Sequence, residues 1–330
     1  MILRTDAGPA TRELWGDRTL VRASSVPVSP GFRLEGGEFL ADGLQRIGLE
    51  QLDYAVAALS GLRIDIGIHE ARKSLRRVRA ILRLVRDPLG RAVYRAENIA
   101  LRDAGRLIGG SRDATVMVET VIGLGFLYRD VLQPGAFDLL GANLLERDKL
   151  IRKRVSVDRI QEVVAVISRA RERFAVWPTR GAVGEGFPAV SDGIRRVYRR
   201  GRHRMDDAYQ AGTSEAFHLW RKRVRYLRFE MTLLEGMWPV VQQGIISDLA
   251  YLADALGAEH DLAELYRLLE SEPEMMPDEN ARHLLQGLLV RNRVRLQEAA
   301  APVGARLYSE HPGDFVARLQ GYWQVWRPGF

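Results

Sequence analysis

"IHEARKSLRRVRAILRL", residues 68–84, returns as "FHLWRKRVRYLRFEMTL", residues 217–233. In each copy a histidine stands three residues before an arginine, a lysine follows that arginine, and further basic residues recur at helical spacing. A helix turns about 100° per residue. On that wheel Ile68, Ala71, Leu75, Val78, Leu82 and Val85 form one apolar stripe, as do Phe217, Trp220, Val224, Leu227, Met231 and Leu234. The basic residues fall on a second stripe, well away from the first. It holds His69, Arg72, Lys73, Arg76, Arg79 and Arg83 in one copy, and His218, Arg221, Lys222, Arg225 and Arg228 in the other. Each segment is therefore predicted as a helix that packs on a core along one side and presents cations along another.

A solvated helix face is the ordinary reading of a charged stripe, but such a face mixes signs, because like charges one turn apart repel. Here the stripe carries no acid after Glu70 until Asp87 in the first copy, and none from His218 until Glu230 in the second. The arrangement also occurs twice in one chain. Cations held together without acidic partners imply a polyanion that offsets their repulsion.

The flanking segments repeat too. "GIRRVYRRGRHRMDDAY" (193–209) overlays "GLQRIGLEQLDYAVAAL" (43–59), with Gly193 on Gly43 and Arg196 on Arg46. "LADALGAEHDLAELYRLL" (252–269) overlays "AGRLIGGSRDATVMVETV" (104–121), and "HLLQGLLVRNRVRLQ" (283–297) overlays "NLLERDKLIRKRVSV" (143–157) more loosely. Four segments recurring in one order point to a tandem duplication, each half holding about four long helices. No strand pattern competes, so the fold class is all-α. The expected layout is an N-terminal arm over 1–35, a first helical half over 36–175, a Pro/Gly-rich linker over 176–190, a second half over 191–325 and a short tail over 326–330.

Composition narrows the function. The chain has 330 residues, 46% of them hydrophobic, which supports a sizeable core. Net charge is +7, and arginine dominates the 49 basic residues. Its planar fork suits phosphate better than the lysine ammonium does. With no cysteine, disulfides, thiol catalysis and cysteine-ligated zinc are excluded. The N-terminus lacks the apolar run of a signal peptide, and no stretch reaches the length of a membrane span; a soluble, cytoplasmic protein is expected. There is no HExxH, and the six histidines include no i,i+4 pair. His69 and His218 therefore read as polar contacts to an anion, with no metal or cofactor expected. The "SRD" and "EHD" points, Arg112–Asp113 and His260–Asp261, follow glycines and suit a cap or an arginine tether. The His-Asp dipeptide is also the one hint of a metal-dependent phosphohydrolase.

Together these features resemble the CHAD family, the conserved histidine α-helical domain. The two basic helices are similar to its histidine helices, and "LIGGSRDATVMVE" and "ALGAEHDLAELYRLLE" are similar to its two Leu-Gly-x-x-Arg/His-Asp points. The first departs from the pattern at Ile108-Gly109-Gly110, and Trp220 is bulky beside the second histidine. The resemblance covers residues 36 to 325. It implies two four-helix bundles related by a pseudo-two-fold axis around a basic central cavity, and a non-enzymatic protein that binds inorganic polyphosphate, in some members at polyphosphate granules. Other members accompany triphosphate-processing domains; the chain before residue 36 is too short for one. On that reading His69, Arg72, Lys73, Arg76, Arg79 and Arg83, with His218, Arg221, Lys222, Arg225 and Arg228, line the site. Arg46, Arg152, Lys153, Arg196, Arg200, Arg291 and Arg293 stand as a second tier on neighbouring helices. Nucleic-acid binding is the alternative and a phosphohydrolase the third reading. Stacked bases need aromatics beside the cations, where only Trp220 and Tyr226 occur, Trp220 on the apolar side.

Overall fold

The computed structural model describes residues 29–61, 64–128, 135, 137–153, 156–176, 184 and 186–327, without the side chains of 64, 110–115 and 152–153. Most of the N-terminal arm, much of the 176–190 linker and the end of the tail lie outside the described residues. Within them every regular element is helical. The order is α1 (Leu40–Leu59), α2 (Ile64–Leu84), a single turn at Arg86–Leu89, α3 (Arg91–Leu107), α4 (Gly110–Leu127), α5 (Asp138–Lys153), α6 (Val157–Ala175), α7 (Pro188–Ala211), α8 (Ser214–Leu233), α9 (Pro239–Ser271), α10 (Glu279–Leu307) and α11 (Pro312–Trp326). The all-α expectation holds, and no described helix is long and apolar enough to cross a membrane.

Local chemistry sets the boundaries. α7 ends where Gly212 takes a left-handed φ of 63°, a conformation that costs glycine little. Thr213 then opens α8, its side chain accepting the Ala216 N–H at 3.3 Å. Asp278 opens α10 and Ser156 opens α6 in the same way. The region read as one or two helices over 137–174 is two. The region over 91–121 breaks at Ile108–Gly109, as the Gly-Gly-Ser predicts. Its counterpart α9 runs unbroken for 33 residues and starts at Pro239, well before the segment read as helical. α11 was not read from the sequence; Phe315, Leu319 and Trp323 form its buried seam.

All twelve residues of the two apolar stripes are buried. Burial itself recurs: Leu40, Gly43, Leu44, Ile47, Gly48 and Ala58 of α1 are matched, 150 positions on, by Val190, Gly193, Ile194, Val197, Tyr198 and Ala208 of α7. The larger core gathers residues from α1, α2, α3, α6, α7, α8 and α11 and the N-terminal part of α9. A second core joins α4 and α5 to the C-terminal part of α9 and the N-terminal part of α10. α2 packs against α1 and α3, and α8 against α7 and α9. The two basic helices also pack directly against each other. α7 crosses the end of α2, where the Gly193 Cα faces the Leu84 carbonyl and Arg196 Nη2 donates to the Arg83 carbonyl at 3.1 Å.

That crossing generates a stability prediction. A methyl at Gly193 would overlap the Leu84 backbone, which cannot move aside as a flexible side chain could. Gly193→Ala is expected to cost about 1–3 kcal/mol in urea denaturation. Gly141→Ala in α5, where a Cβ meets nothing within 4 Å, is expected to be neutral or to stabilise by up to about 1 kcal/mol.

Candidate functional site

The seam between α2 and α8 brings the predicted cations together. Arg76 lies among Arg225, Arg72, Arg221 and Arg79, close enough for each to act on its charge. Burial, then the neighbouring arginines, holds its guanidinium well below the usual arginine range. Burial and then Arg221 push Arg225 down to about 10, with Arg228 and Arg72 acting the same way. Among the described residues no acid lies within ion-pair distance of Arg76, Arg221 or Arg225. The buried Arg76 Nε has no hydrogen-bond acceptor. Like charges are thus packed together and partly dehydrated, which costs folding free energy unless an anion enters.

The surrounding contacts aim these groups, mostly through neutral acceptors. Arg79 Nε donates to Asn98 Oδ1 at 3.0 Å, and Arg83 Nη2 donates to the same oxygen at 3.3 Å. Arg83 Nη1 donates to the Tyr94 hydroxyl at 3.2 Å, and its guanidinium lies 4.0 Å from the Tyr226 ring centre. Arg72 Nη1 donates at 2.6 Å to the carbonyl of Gly109, at the α3–α4 break. Arg221 makes the matching approach to α9: its Nη2 lies 2.8 Å from where a Gly257 Cβ would sit. The two Leu-Gly points therefore admit the two arginines, and any side chain at Gly257 would displace Arg221. Lys73 differs, with Nζ 3.6 Å from the Glu70 carboxylate.

The two histidines occupy unlike settings. His69 is half-exposed, its Nε2 3.7 Å from Glu70. His218 stacks on His260 of α9, ring centres 4.1 Å apart and planes at 34°. Burial, then Lys222 and Arg221, pushes His218 down to about 4; Glu215 acts in the opposite sense. Burial, then His218 and Arg221, pushes His260 down to about 3. Both rings are neutral at pH 7. His260 thus stands beside the arginines, turned toward His218, although the His-Asp dipeptide had suggested only a cap, a tether or a hydrolase fragment. Its repeat counterpart is Arg112, whose side chain lies outside the described residues, as does that of Asp113.

The second tier separates on the same criterion. Arg46 is ion-paired to Glu38 at 2.8 Å and Glu50 at 3.3 Å, Arg196 to Asp87 at 2.6 Å, and Arg293 to the buried Glu259 at 2.9 Å. Each of these three has an acid beside it. Arg291 is exposed on α10. Arg152 and Lys153 close α5, and their side chains lie outside the described residues. Arg200 is exposed and has no described ion-pair partner; burial, then Arg196 and Arg86, lowers its pKa. Arg223 was missed. It is partly buried, held below the ordinary value by burial and by Arg200, Arg83 and Arg204. Its repeat counterpart is Ser74, so the comparison of copies that revealed the other cations conceals this one. Glu230, which bounds the acid-free run, is fully buried, and burial holds its carboxyl well above the usual range, against the pull of Arg196 and Arg83.

The CHAD domain family model matches residues 46–270, which include both basic helices and both Leu-Gly points. Solved structures are similar, two among them over most of this chain. The crystal structure of the CHAD domain from the plant Ricinus communis is 15% identical, with a TM-score of 0.63 over 86% of this chain and 97% of that one. PptA from Streptomyces chartreusis is 17% identical, with a TM-score of 0.57 over 82% of this chain and 99% of that one. No curated protein matches the chain. At these identities the structures speak for the fold alone; the family match, over more than half the sequence, shows that the chain belongs to the CHAD family.

Proposed function

We propose that this protein binds inorganic polyphosphate, without transforming it, between α2 and α8. The observation that carries this reading is the packing of Arg76 and Arg225 into one dehydrated cluster with Arg72 and Arg221, where neither has an acidic partner among the described residues. A linear polyanion with about one charge per phosphate offsets that repulsion at successive points. Each charged hydrogen bond contributes roughly 1.5–3 kcal/mol, so a few of them outweigh the dehydration already built into the fold. Lys73, Arg79, Arg83, Lys222 and Arg228 continue the cationic faces on either side. Membership of the CHAD family supports the same ligand and is in keeping with a cytoplasmic place at polyphosphate granules. Nucleic acid fits less well: Trp220 is fully buried, and a face of Tyr226 is covered by Arg83, so neither ring is an open platform for bases.

Charge reversal tests the reading. Arg76→Glu together with Arg225→Glu is expected to weaken long-chain polyphosphate binding by at least about a hundredfold in calorimetry. Arg76→Glu alone is expected to weaken binding while leaving thermal stability equal or higher, because the new carboxylate meets Arg225, Arg72 and Arg221. A merely structural role for Arg76 would lower stability instead. Wild-type affinity should fall linearly in log–log form with salt, and polyphosphate should outcompete DNA and RNA at matched phosphate and salt. Preference for nucleic acid, or binding indifferent to the double reversal, overturns the proposal. Phosphate release with Mg²⁺ or Mn²⁺ would favour the phosphohydrolase.

The histidine pair adds a pH dependence. His218 and His260 are held neutral in the free protein, at about 4 and about 3. A bound polyanion favours their protonated forms, so binding takes up protons and affinity rises as pH falls from 7 toward 4. Calorimetry at pH 5.5 in buffers of different ionisation enthalpy should show this uptake, and His218→Gln with His260→Gln should reduce it.

A further inference from the structure

The two halves are not electrostatically equivalent. Three positions differ in chemistry between the repeats. In the first half they are Glu50, Ser74 and Arg77. Glu50 pairs with Arg46 at 3.3 Å. Ser74 Oγ and Arg77 Nη1 both donate to the Gln51 amide oxygen, Oε1, at 3.2 and 3.1 Å, and Arg77 Nη1 also donates to Ser29 Oγ at 3.1 Å. Gln51 Nε2 in turn donates to the carbonyls of Pro30 and Gly31. This corner is hydrogen-bonded shut by the segment that precedes α1.

In the second half the same positions are Arg200, Arg223 and Tyr226. Arg83, reaching across from α2, and Arg223 both approach the Tyr226 ring, at 4.0 and 5.9 Å from its centre. The buried Arg223 Nε has no acceptor, and neither Arg200 nor Arg223 has an ion-pair partner among the described residues. Arg200 and Arg204 are near enough to Arg223 to act on its charge, and Arg204 alone of these has a partner, Asp207 at 2.9 Å. Tyr226 links this corner to the Arg76–Arg225 cluster, because Arg79 and Arg225 also act on its phenol.

We propose that Arg200, Arg223 and Tyr226, with Arg83, form a second anion subsite on the second-half side only, so that a long phosphate chain leaves the Arg76–Arg225 cluster in one direction. The inference rests on the polyphosphate reading and adds to it a chain-length preference with a structural cause. A short oligophosphate satisfies the cluster alone; a long chain also reaches the corner at Arg223 and Arg200. The first-half corner offers no such continuation, since its polar atoms are already bonded to one another and to residues 29–31.

The test compares tripolyphosphate with long-chain polyphosphate on the full chain by calorimetry. The variants are Arg200→Glu, which is exposed and safe for folding, and Arg223→Ala, with Arg159→Ala as a control for loss of one distant surface charge. The affinity ratio of long chain to tripolyphosphate is expected to fall at least about tenfold in Arg200→Glu and Arg223→Ala. It should stay within about twofold of wild type in Arg159→Ala. The salt slope for the long chain should become shallower by about one for each cation removed. An unchanged ratio in Arg200→Glu, with wild-type polyphosphate binding intact, overturns the subsite and leaves the central reading standing. Failure of the wild-type protein to bind either phosphate overturns both.

Discussion

The contact between α2 and α8 is the constraint on which the rest of the structure turns. Each helix is held from one side by an apolar stripe sunk in the core, including Leu75, Val78, Trp220 and Val224. Burial of those side chains contributes roughly 1.5–3 kcal/mol each, and it forces the basic sides of the two helices toward one another. Repulsion between Arg76 and Arg225 is then a cost the cores must outweigh. The fold retains that cost instead of relieving it with carboxylates, the preorganisation that the proposed anion site calls for.

Neutral acceptors make this possible. Asn98, Tyr94 and the Gly109 carbonyl orient guanidinium groups without cancelling their charge. Elsewhere in the molecule arginines pair with acids: Arg171 with Asp53, Arg173 with Glu97, Arg318 with Glu310. The distinction between paired and unpaired cations is invisible in a count of basic residues. Arg46, Arg196 and Arg293, equally basic in the sequence, fall on the paired side.

Much of the fold was legible because helix periodicity is a local property. The stripes at 68–85 and 217–234 name their own buried faces, and the break at Gly109–Gly110 announces itself through glycine. α11 and the first part of α9 were harder, since the burial of Phe315 or Leu249 depends on partners far away in the chain. Comparison between the copies was the most informative signal for the site, and also its blind spot. It marked positions where both halves carry cations and passed over Arg223, whose counterpart is Ser74. It read His260 through its neighbour Asp261, whereas its spatial neighbour is His218.

By itself the sequence determined the helical class, the two amphipathic basic helices, their apolar faces and the excess of arginine, because each follows from side-chain chemistry at a fixed angular step. Only the tertiary structure decided which of those arginines confront one another. Charge is felt through space and quenched by whatever acid lies within a few ångströms, and those distances are set by how α2, α7, α8 and α9 cross. The same crossing made the halves unequal: one corner is closed by hydrogen bonds to residues 29–31, and its counterpart is left to Arg200 and Arg223.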